Sequence, residues 1–515
     1  MAIIGTLLKK GIKIRETLEQ EYSNPLELQK AELQNLLIQA RGTEFGSYYR
    51  FRDLLAGFKH SGGEFYRLFR ESIPIHNYND IYNRWWHKCL EGQSNVCWPG
   101  NVKYFALSSG TSESSSKHIP ITKEMIKSIQ KTSIRQILTL SKYNVEDSVF
   151  TSGILMLGGS TNLLQKGTYF EGDLSGITAS QLPFWFQHFY KPGKKIAMKA
   201  DWFKRIDEIA EKAPEWKIGI IVGIPAWIQI MIERIIEKHN LSTIHDIWPD
   251  LSIYVHGGVS FDPYRKSFEK LFGKPMIYME TYLASEGFVA FQAEPDVRSM
   301  RIVLNNGIFY EFIPFNDRNF DSEGNLLENP ETLLIDEVEE GQEYALLLST
   351  NAGAWRYMIG DTIKFTSKER SEIIITGRTK HFLSLCGEHL SVENMNAAIE
   401  MASDELNIPI KEFTVAGEPH GTMWGHTWYV GADGEVEDGR LRDYIDSKLM
   451  ELNDDYKVER SSALKEVKVK SLPSDVFYQW MKKNGKVGGQ NKFPRVLKNK
   501  NLNNWQEFLK ENNHD

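Results

Sequence analysis

The sequence predicts an α/β protein, with a large N-terminal α/β domain that includes a β-rich subdomain and a smaller α+β domain behind it. Three observations lead there. The chain has 515 residues, more than one hydrophobic core normally supports, so two or more domains are expected. Between residues 102 and 279 short apolar runs alternate with stretches of helical periodicity, the pattern of a largely parallel sheet covered on both faces. After Gly287 the apolar runs come closer together, and Gly377-Arg378-Thr379-Lys380 marks a turn beyond which a compact α+β pattern begins. The boundary is placed near Lys380, dividing residues 1–379 from 380–515.

Residues 1–60 read as helical, with Ile14, Leu18, Leu26, Leu28, Leu33, Leu36 and Leu37 spaced among charges. A strand is expected at 102–107, then a serine-rich turn and a helix at 123–140. Residues 216–222 read as a buried strand and 225–239 as an apolar-faced helix with Pro225 in its first turn. Strands at 251–255 and 276–279 flank a helix at 264–272. Runs at 301–304 and 308–312 flank Asn305-Asn306-Gly307, a hairpin signal. Strands at 344–348, 362–365 and 373–375 complete the β-rich part. Past the boundary, helices are expected at 392–402 and 440–452, with strands at 413–416 and 426–430.

Composition narrows the functional classes. Hydrophobic residues make up 41% and charged residues 25% of the chain, an ordinary globular balance. The net charge, 61 − 68 = −7, gives no reason to expect a nucleic-acid partner. Cys89, Cys97 and Cys386 are too few and too odd in number for a disulfide framework, which points to a reducing compartment. Neither a CxxC pair nor an HExxH stretch is present, so a zinc site has no support. The opening apolar run lacks the flanks of a signal peptide, and no run reaches the roughly 18 apolar residues that span a bilayer. A cytoplasmic protein without membrane or nucleic-acid partners is expected.

Four segments carry chemistry. Ser108-Ser109-Gly110-Thr111-Ser112, leading through Glu113-Ser114-Ser115-Ser116 to Lys117, offers hydroxyls, backbone N–H groups and a glycine that permits close approach, which suits phosphate oxygens. An exposed serine-rich loop has the same composition. Glu280-Thr281-Tyr282-Leu283-Ala284-Ser285-Glu286-Gly287 ends an expected parallel strand, where open α/β sheets bind ligands. A carboxylate there can hold Mg²⁺ against phosphates; standing alone, it reads equally as a surface glutamate. In Trp355-Arg356-Tyr357-Met358-Ile359-Gly360-Asp361 the aspartate can accept from ribose hydroxyls, and Arg378 can donate to sugar or phosphate; a Gly-Asp turn beside a surface arginine is the plain alternative. Gly488-Gly489-Gln490-Asn491-Lys492-Phe493-Pro494-Arg495 is a glycine-led loop able to carry one charge into a site, or part of a basic tail.

Taken as an ordered set, these segments are the successive signatures of adenylate-forming enzymes. SSGTS, Glu-Thr-Tyr-x-x-Ser-Glu-Gly, Trp-Arg-Tyr-x-x-Gly-Asp and Gln-x-Lys-x-Pro-Arg resemble the auxin-responsive Gretchen Hagen family of acyl acid amido synthetases, in its bacterial type. The resemblance runs from about residue 60 to 500, with His256-Gly257-Gly258 matching the family's adenine-side turn. Two departures stand out: Glu113 and the serines after it replace a frequent glycine, and Trp355 replaces a frequent tyrosine.

The resemblance implies an adenylate-forming fold with a mobile C-terminal domain, and ATP with Mg²⁺ as cofactors. It also implies two half-reactions: a carboxylic acid is activated as its acyl adenylate with release of pyrophosphate, then passed to an amine, expected to be an amino acid, with release of AMP. Ser108, Ser109, Gly110, Thr111 and Ser112 would cradle phosphates and Glu286 would hold Mg²⁺. Gly257, Gly258, Thr281, Tyr282 and Ser285 would line the nucleotide, Asp361 and Arg378 would take the ribose, and Lys492 would bridge the α-phosphate and the attacking carboxylate. The alternatives are transfer to a thiol such as coenzyme A, and a non-catalytic protein that binds an adenylate. For the acyl pocket, Trp227 and the Phe184-Trp185-Phe186 cluster are candidates, as apolar walls or as plain core. No GxxxxGK[ST] or GxGxxG stretch occurs, which argues against P-loop and dinucleotide folds.

Overall fold

Strand propensity between residues 102 and 279 is realised as expected, but the chain distributes its strands over three sheets. The computed structural model describes residues 24–58, 64–108, 117–143, 145–184, 186–258, 261–295, 297–321, 324–379, 383, 390, 392–420, 423–434, 436–453, 456–457, 460, 464–485 and 493–514. In chain order the strands are β1 (Tyr104–Ser108), β2 (Lys117–Ile121), β3 (Gly153–Leu157), β4 (Leu164–Lys166), β5 (Tyr169–Gly172), β6 (Tyr190–Lys191), β7 (Ile218–Gly223), β8 (Ile253–Gly257), β9 (Ile277–Ala284) and β10 (Gly287–Phe291). They continue as β11 (Met300–Ile302), β12 (Ile308–Pro314), β13 (Glu343–Thr350), β14 (Tyr357–Ser367), β15 (Glu372–Arg378), β16 (Ile410–His420), β17 (Met423–Ala432), β18 (Leu464–Leu472) and β19 (Val496–Leu497).

Among the described residues the largest sheet has eleven strands in the order β12-β13-β14-β15-β11-β10-β9-β8-β7-β3-β6. From β6 to β9 the neighbours run parallel, and from β9 onward they alternate in direction. The β-rich part is thus the antiparallel half of the same sheet. A second sheet, β2-β1-β5-β4, carries the serine-rich segment, and a third, β18-β17-β16-β19, belongs to the C-terminal part.

Local chemistry sets the helices that cover these sheets. Helix α1 (Pro25–Ala40) starts where the Asn24 side chain accepts from the Glu27 N–H at 3.2 Å, with proline in the first turn. Helix α2 (Lys123–Thr139) is capped by Thr122, and α3 (Trp202–Lys212) by Asp201. Helix α4 (Pro225–His239) stops at Asn240, whose φ of 51° ends the ladder. Helix α5 (Arg265–Leu271) follows β8. The C-terminal part contributes α6 (Val392–Leu406), α7 (Asp438–Leu452), α8 (Ser474–Lys483) and α9 (Asn499–Glu511). Helices α8 and α9 and strands β18 and β19 have no counterpart in the sequence reading. One apolar core joins Ile206, Ile209, Trp227 and Ile232 of α3 and α4 to Phe477, Trp480, Phe493 and Trp505. The C-terminal part therefore packs directly onto the helical layer of the large domain.

The expected hairpin at Asn305-Asn306-Gly307 does not form. Strand β11 pairs with β10 and β15, whereas β12 pairs with β13. A side chain of α1 takes backbone groups on either side of the turn, and the turn's own side chains bond to α2. Gln29 of α1 donates to the carbonyls of Leu304 (2.7 Å) and Ile308 (3.0 Å) and accepts from the Tyr310 N–H (2.7 Å). Asn306 donates to the Ser128 carbonyl and to the Thr132 hydroxyl, and Arg135 donates to Asn305 at 2.7 Å.

Arg356 is the other buried tie. Its guanidinium grips both Glu311 oxygens (2.9–3.1 Å) and donates to the carbonyls of Arg70 and Ile73, while Tyr66 donates to the same carboxylate at 3.0 Å. Both charges are fully enclosed, so removing one strands the other. Glu311→Ala is expected to lower stability by about 3–5 kcal/mol, read as a drop in the urea midpoint; an unchanged midpoint would show that the network contributes nothing.

Candidate active site

Parallel strands β3, β7, β8 and β9 end together, and the turn after β8 begins at Gly257. A Cβ there would stand 2.4 Å from the Thr281 carbonyl oxygen. Glycine lets β8 and β9 close up at that register, where Gly257 faces Thr281, and the Thr281 hydroxyl donates to the His256 carbonyl at 2.8 Å. Gly258 continues the turn at a φ of 82°. His256 is buried with its ring stacked on Phe261 at 4.6 Å, and its Nδ1 has no partner among the described residues. Burial pushes its pKa down to about 3, so the ring is neutral.

Beyond Thr281 the strand delivers Tyr282, Ser285 and Glu286. The Tyr282 hydroxyl donates to Asp361 Oδ2 at 2.5 Å, and Arg378 Nε contacts Asp361 Oδ1 at 2.8 Å. Asp361 and Arg378 face each other across β14 and β15, and Arg378 also donates to the Ile359 carbonyl at 2.9 Å. Gly360, at a φ of 88°, turns the chain so that this carbonyl is presented. Strands β10, β11 and β15 lie between β9 and β14 in the sheet order. Four intervals of about 4.8 Å exceed the reach of one tyrosine, so the sheet bends sharply enough to bring its two halves face to face.

Glu286 sits in that fold, almost enclosed. Its carboxyl is pushed up to about 7, first by burial and then by the Asp361 charge, with Arg378 and Lys117 pulling the other way. Asp361 in turn holds Arg378 firmly protonated, and burial together with Asp361 keeps the Tyr282 phenol protonated as a donor. Among the described residues no cation lies within ion-pair distance of Glu286. A buried, unneutralised carboxylate of this kind fits Mg²⁺, which needs one or two protein carboxylates when phosphates supply the remaining oxygens.

Strands β1 and β2 are antiparallel and pair Ser108 with Lys117. A second strand, β2, thus stands between the serine-rich segment and helix α2, where the sequence reading went straight from turn to helix. Lys117 Nζ lies 5.5 Å from the Tyr78 ring, and the Tyr78 hydroxyl accepts from the His118 N–H at 2.8 Å. Ring contacts then run from Tyr78 to Trp86 (6.1 Å) and from Trp86 to Tyr357 (5.4 Å), at the start of the strand bearing Asp361. Tyr78 and Trp86 went unnoticed in the sequence because their helical neighbourhood has no motif.

Thr281, Tyr282, Ser285, Glu286, Asp361 and Arg378 thus share one region, with Gly257 and Gly258 on its flank and Lys117 of β2 near enough to act on Glu286. Ser109, Gly110, Thr111, Ser112 and Lys492 lie outside the described residues, as do Cys386 and Trp185. Trp227 is buried in the core, 4.8 Å from the Trp202 ring and 6.0 Å from Tyr478, and Phe184 is 86% exposed. Cys89 and Cys97 are buried free thiols with raised pKa values. No described helix is long and apolar enough to cross a membrane.

The fold is that of solved acyl acid amido synthetase and acyl-CoA ligase structures. The whole chain superposes on the GH3.15 acyl acid amido synthetase with a TM-score of 0.77 at 15% identity, covering 97% of this chain and 95% of that one. A 2-hydroxyisobutyryl-CoA ligase superposes with a TM-score of 0.57 at 13% identity, over 94% and 91%. Within that class the chain belongs to the GH3 family: it matches the GH3 family N-terminal domain over residues 14–206 and 165–277, the central domain over 301–373 and the C-terminal domain over 393–501. Curated relatives include the jasmonoyl–L-amino acid synthetase JAR6 of Nicotiana attenuata, 26% identical over 40% of this chain and 37% of that protein. Another is the indole-3-acetic acid-amido synthetase GH3.2 of Arabidopsis thaliana, 27% identical over 43% and 40%. The chain spans about two fifths of the length of these curated relatives.

Glu280, on the same strand, supplies a test of the electrostatics. Burial, then the Asp262 charge, push its carboxyl up to about 7. A carboxyl raised in the folded state favours folding while protonated, and that stability is lost as pH climbs from its ordinary value towards 7. Glu280→Gln is expected to raise stability at pH 8 by on the order of 2 kcal/mol and to leave it nearly unchanged at pH 5. Parallel melting curves for variant and wild type across that range would contradict the assignment.

Proposed function

We propose that this protein activates a carboxylic acid with ATP as an acyl adenylate and transfers the acyl group to an amine, most simply that of an amino acid. The observation that carries the reading is the convergence of Tyr282, Glu286, Asp361 and Arg378 from opposite halves of one sheet, in a chain that belongs to the GH3 family. Names of relatives point the same way: the matched plant proteins are amido synthetases. Residues 1–379 would bind ATP and the acid, and 380–515 would form the mobile domain.

In the first step a carboxylate oxygen bonds to the α-phosphorus and pyrophosphate leaves. Charge gathers on phosphate oxygens in that transition state, so oriented donors and cations do the catalysis. Ser108, Ser109, Gly110, Thr111 and Ser112 would direct hydroxyls and N–H groups at these oxygens. Mg²⁺, when bound, would neutralise phosphate charge beside Glu286. Asp361, fixed by Tyr282 and Arg378, would accept from the ribose hydroxyls, and Lys492 would draw the carboxylate and α-phosphate together. In the second step the amine nitrogen bonds to the acyl carbon, AMP departs with the electron pair, and the nitrogen loses a proton. The anhydride is already activated, so positioning dominates.

The experiment is acid-dependent ATP–pyrophosphate exchange with benzoate, octanoate and pyruvate, followed by AMP release on adding amino acids or coenzyme A. Exchange with one acid, and AMP release driven by amino acids, is the expected result; release driven only by the thiol would make it an acyl-CoA ligase, and no exchange with any acid would favour an adenylate-binding protein. Lys492→Ala is expected to cost about 2.7–4 kcal/mol of transition-state stabilisation in single-turnover adenylate formation. An unaltered rate would remove that lysine from the mechanism.

A further inference from the structure

Arg495 ends the same segment as Lys492, and the structure describes its surroundings in detail. Its Nη1 meets Glu412 Oε2 at 2.5 Å and the Phe413 carbonyl at 2.9 Å, and its guanidinium lies 4.4 Å from the Phe413 ring centre. The backbone is pinned as well. The Val415 N–H donates to the Arg495 carbonyl at 2.9 Å, and the Thr414 hydroxyl donates to that of Pro494 at 2.7 Å. Phe493 enters an aromatic box with Phe477 (4.9 Å), Trp480 (5.0 Å) and Trp505 (5.1 Å). Phe493–Arg495 are therefore fixed to β16 and to the last two helices.

Glu412 has a second partner, and it comes from the other domain. Tyr264, buried just ahead of α5, donates its hydroxyl to Glu412 Oε1 at 2.6 Å. One enclosed carboxylate thus holds the C-terminal strap with one oxygen and the large domain with the other. Nearby ion pairs between the domains are weaker candidates. Lys411 with Glu233 (3.1 Å) and Lys266 with Asp404 (2.8 Å) are part-exposed, and exposed pairs hold little. A hydrogen bond to a buried charge is stronger and depends on geometry.

We propose that Glu412 and Arg495 are positioning residues for the first half-reaction, and that Tyr264 makes their position depend on docking of the C-terminal domain. This rests on the adenylation reading above. Arg495 fixes Phe493–Arg495 against β16, and Tyr264 sets where β16 stands relative to the nucleotide edge. Rotation of the domain after adenylation breaks the Tyr264 bond and leaves the Glu412–Arg495 pair intact.

Two readouts test this on the full chain with Tyr264→Phe and Glu412→Gln, both conservative in shape. Small-angle scattering of the unliganded proteins, at a temperature below both melting transitions, is expected to show expansion of Tyr264→Phe relative to wild type. With the panel acid that gives the fastest wild-type exchange, acid-dependent ATP–pyrophosphate exchange is expected to fall roughly tenfold in Tyr264→Phe, and as much or more in Glu412→Gln. Aminolysis of the same acid's synthetic adenylate should stay within about twofold of wild type, because a tenfold change needs a full hydrogen bond's worth of free energy. Scattering profiles that superimpose, half-reactions that fall in parallel, or a loss confined to aminolysis would each overturn the proposal. Absence of exchange in the wild type would instead overturn the adenylation reading, and the scattering comparison would still decide whether Tyr264 holds the domains together.

Discussion

The bend of the large sheet is the constraint on which the rest of the structure depends. Its parallel half brings glycine-rich turns to a common edge, and its antiparallel half carries an acid and a base on adjacent strands. Neither half makes a site alone. The hydrogen bond from Tyr282 to Asp361 joins them, and it forms only because β9 and β14 approach across the three strands between them. Burial within that fold also sets the electrostatics: Glu286 is raised because it is enclosed beside a second carboxylate, and Arg378 is held charged by the same neighbour.

Much of this was legible in the sequence where a local rule and a tertiary role coincide. Helix α4 was expected at its observed limits, because proline at its start and apolar spacing through its length act within one element. The strand-helix alternation through β9 followed for the same reason. The expectation failed at Asn305-Asn306-Gly307, where a strong hairpin signal lost to the Gln29 side chain, which satisfies the backbone from outside, and to the pairing of β12 with β13. Gln29 is some 280 positions from the carbonyls it meets, and local pattern carries no information about such a partner.

The site divides along the same line. Tyr282, Glu286, Asp361 and Arg378 stood in recognisable order, so their residue types and succession marked them before any geometry was known. Tyr78 and Trp86 had no motif to mark them, yet their rings connect Lys117 of β2 to the strand that bears Asp361. The aromatic residues were hardest to read: they look alike in sequence whether they line a cavity or pack in a core, the two readings open for Trp227, which lies against Trp202 and Tyr478.

The Trp355–Asp361 stretch combines two duties that one string of letters conceals. Trp355 and Arg356 are enclosed and serve the architecture, through ring packing with Phe45 and Phe51 and the grip on Glu311, whereas Asp361 alone faces the candidate nucleotide edge. Selection for a folded chain would preserve the first half whether or not turnover matters. A descendant that exchanged only the terminal aspartate could keep its shape and most of its signature while giving up chemistry, so paralogues that have become inert scaffolds or sensors would pass unnoticed in a motif search and reveal themselves at that one position.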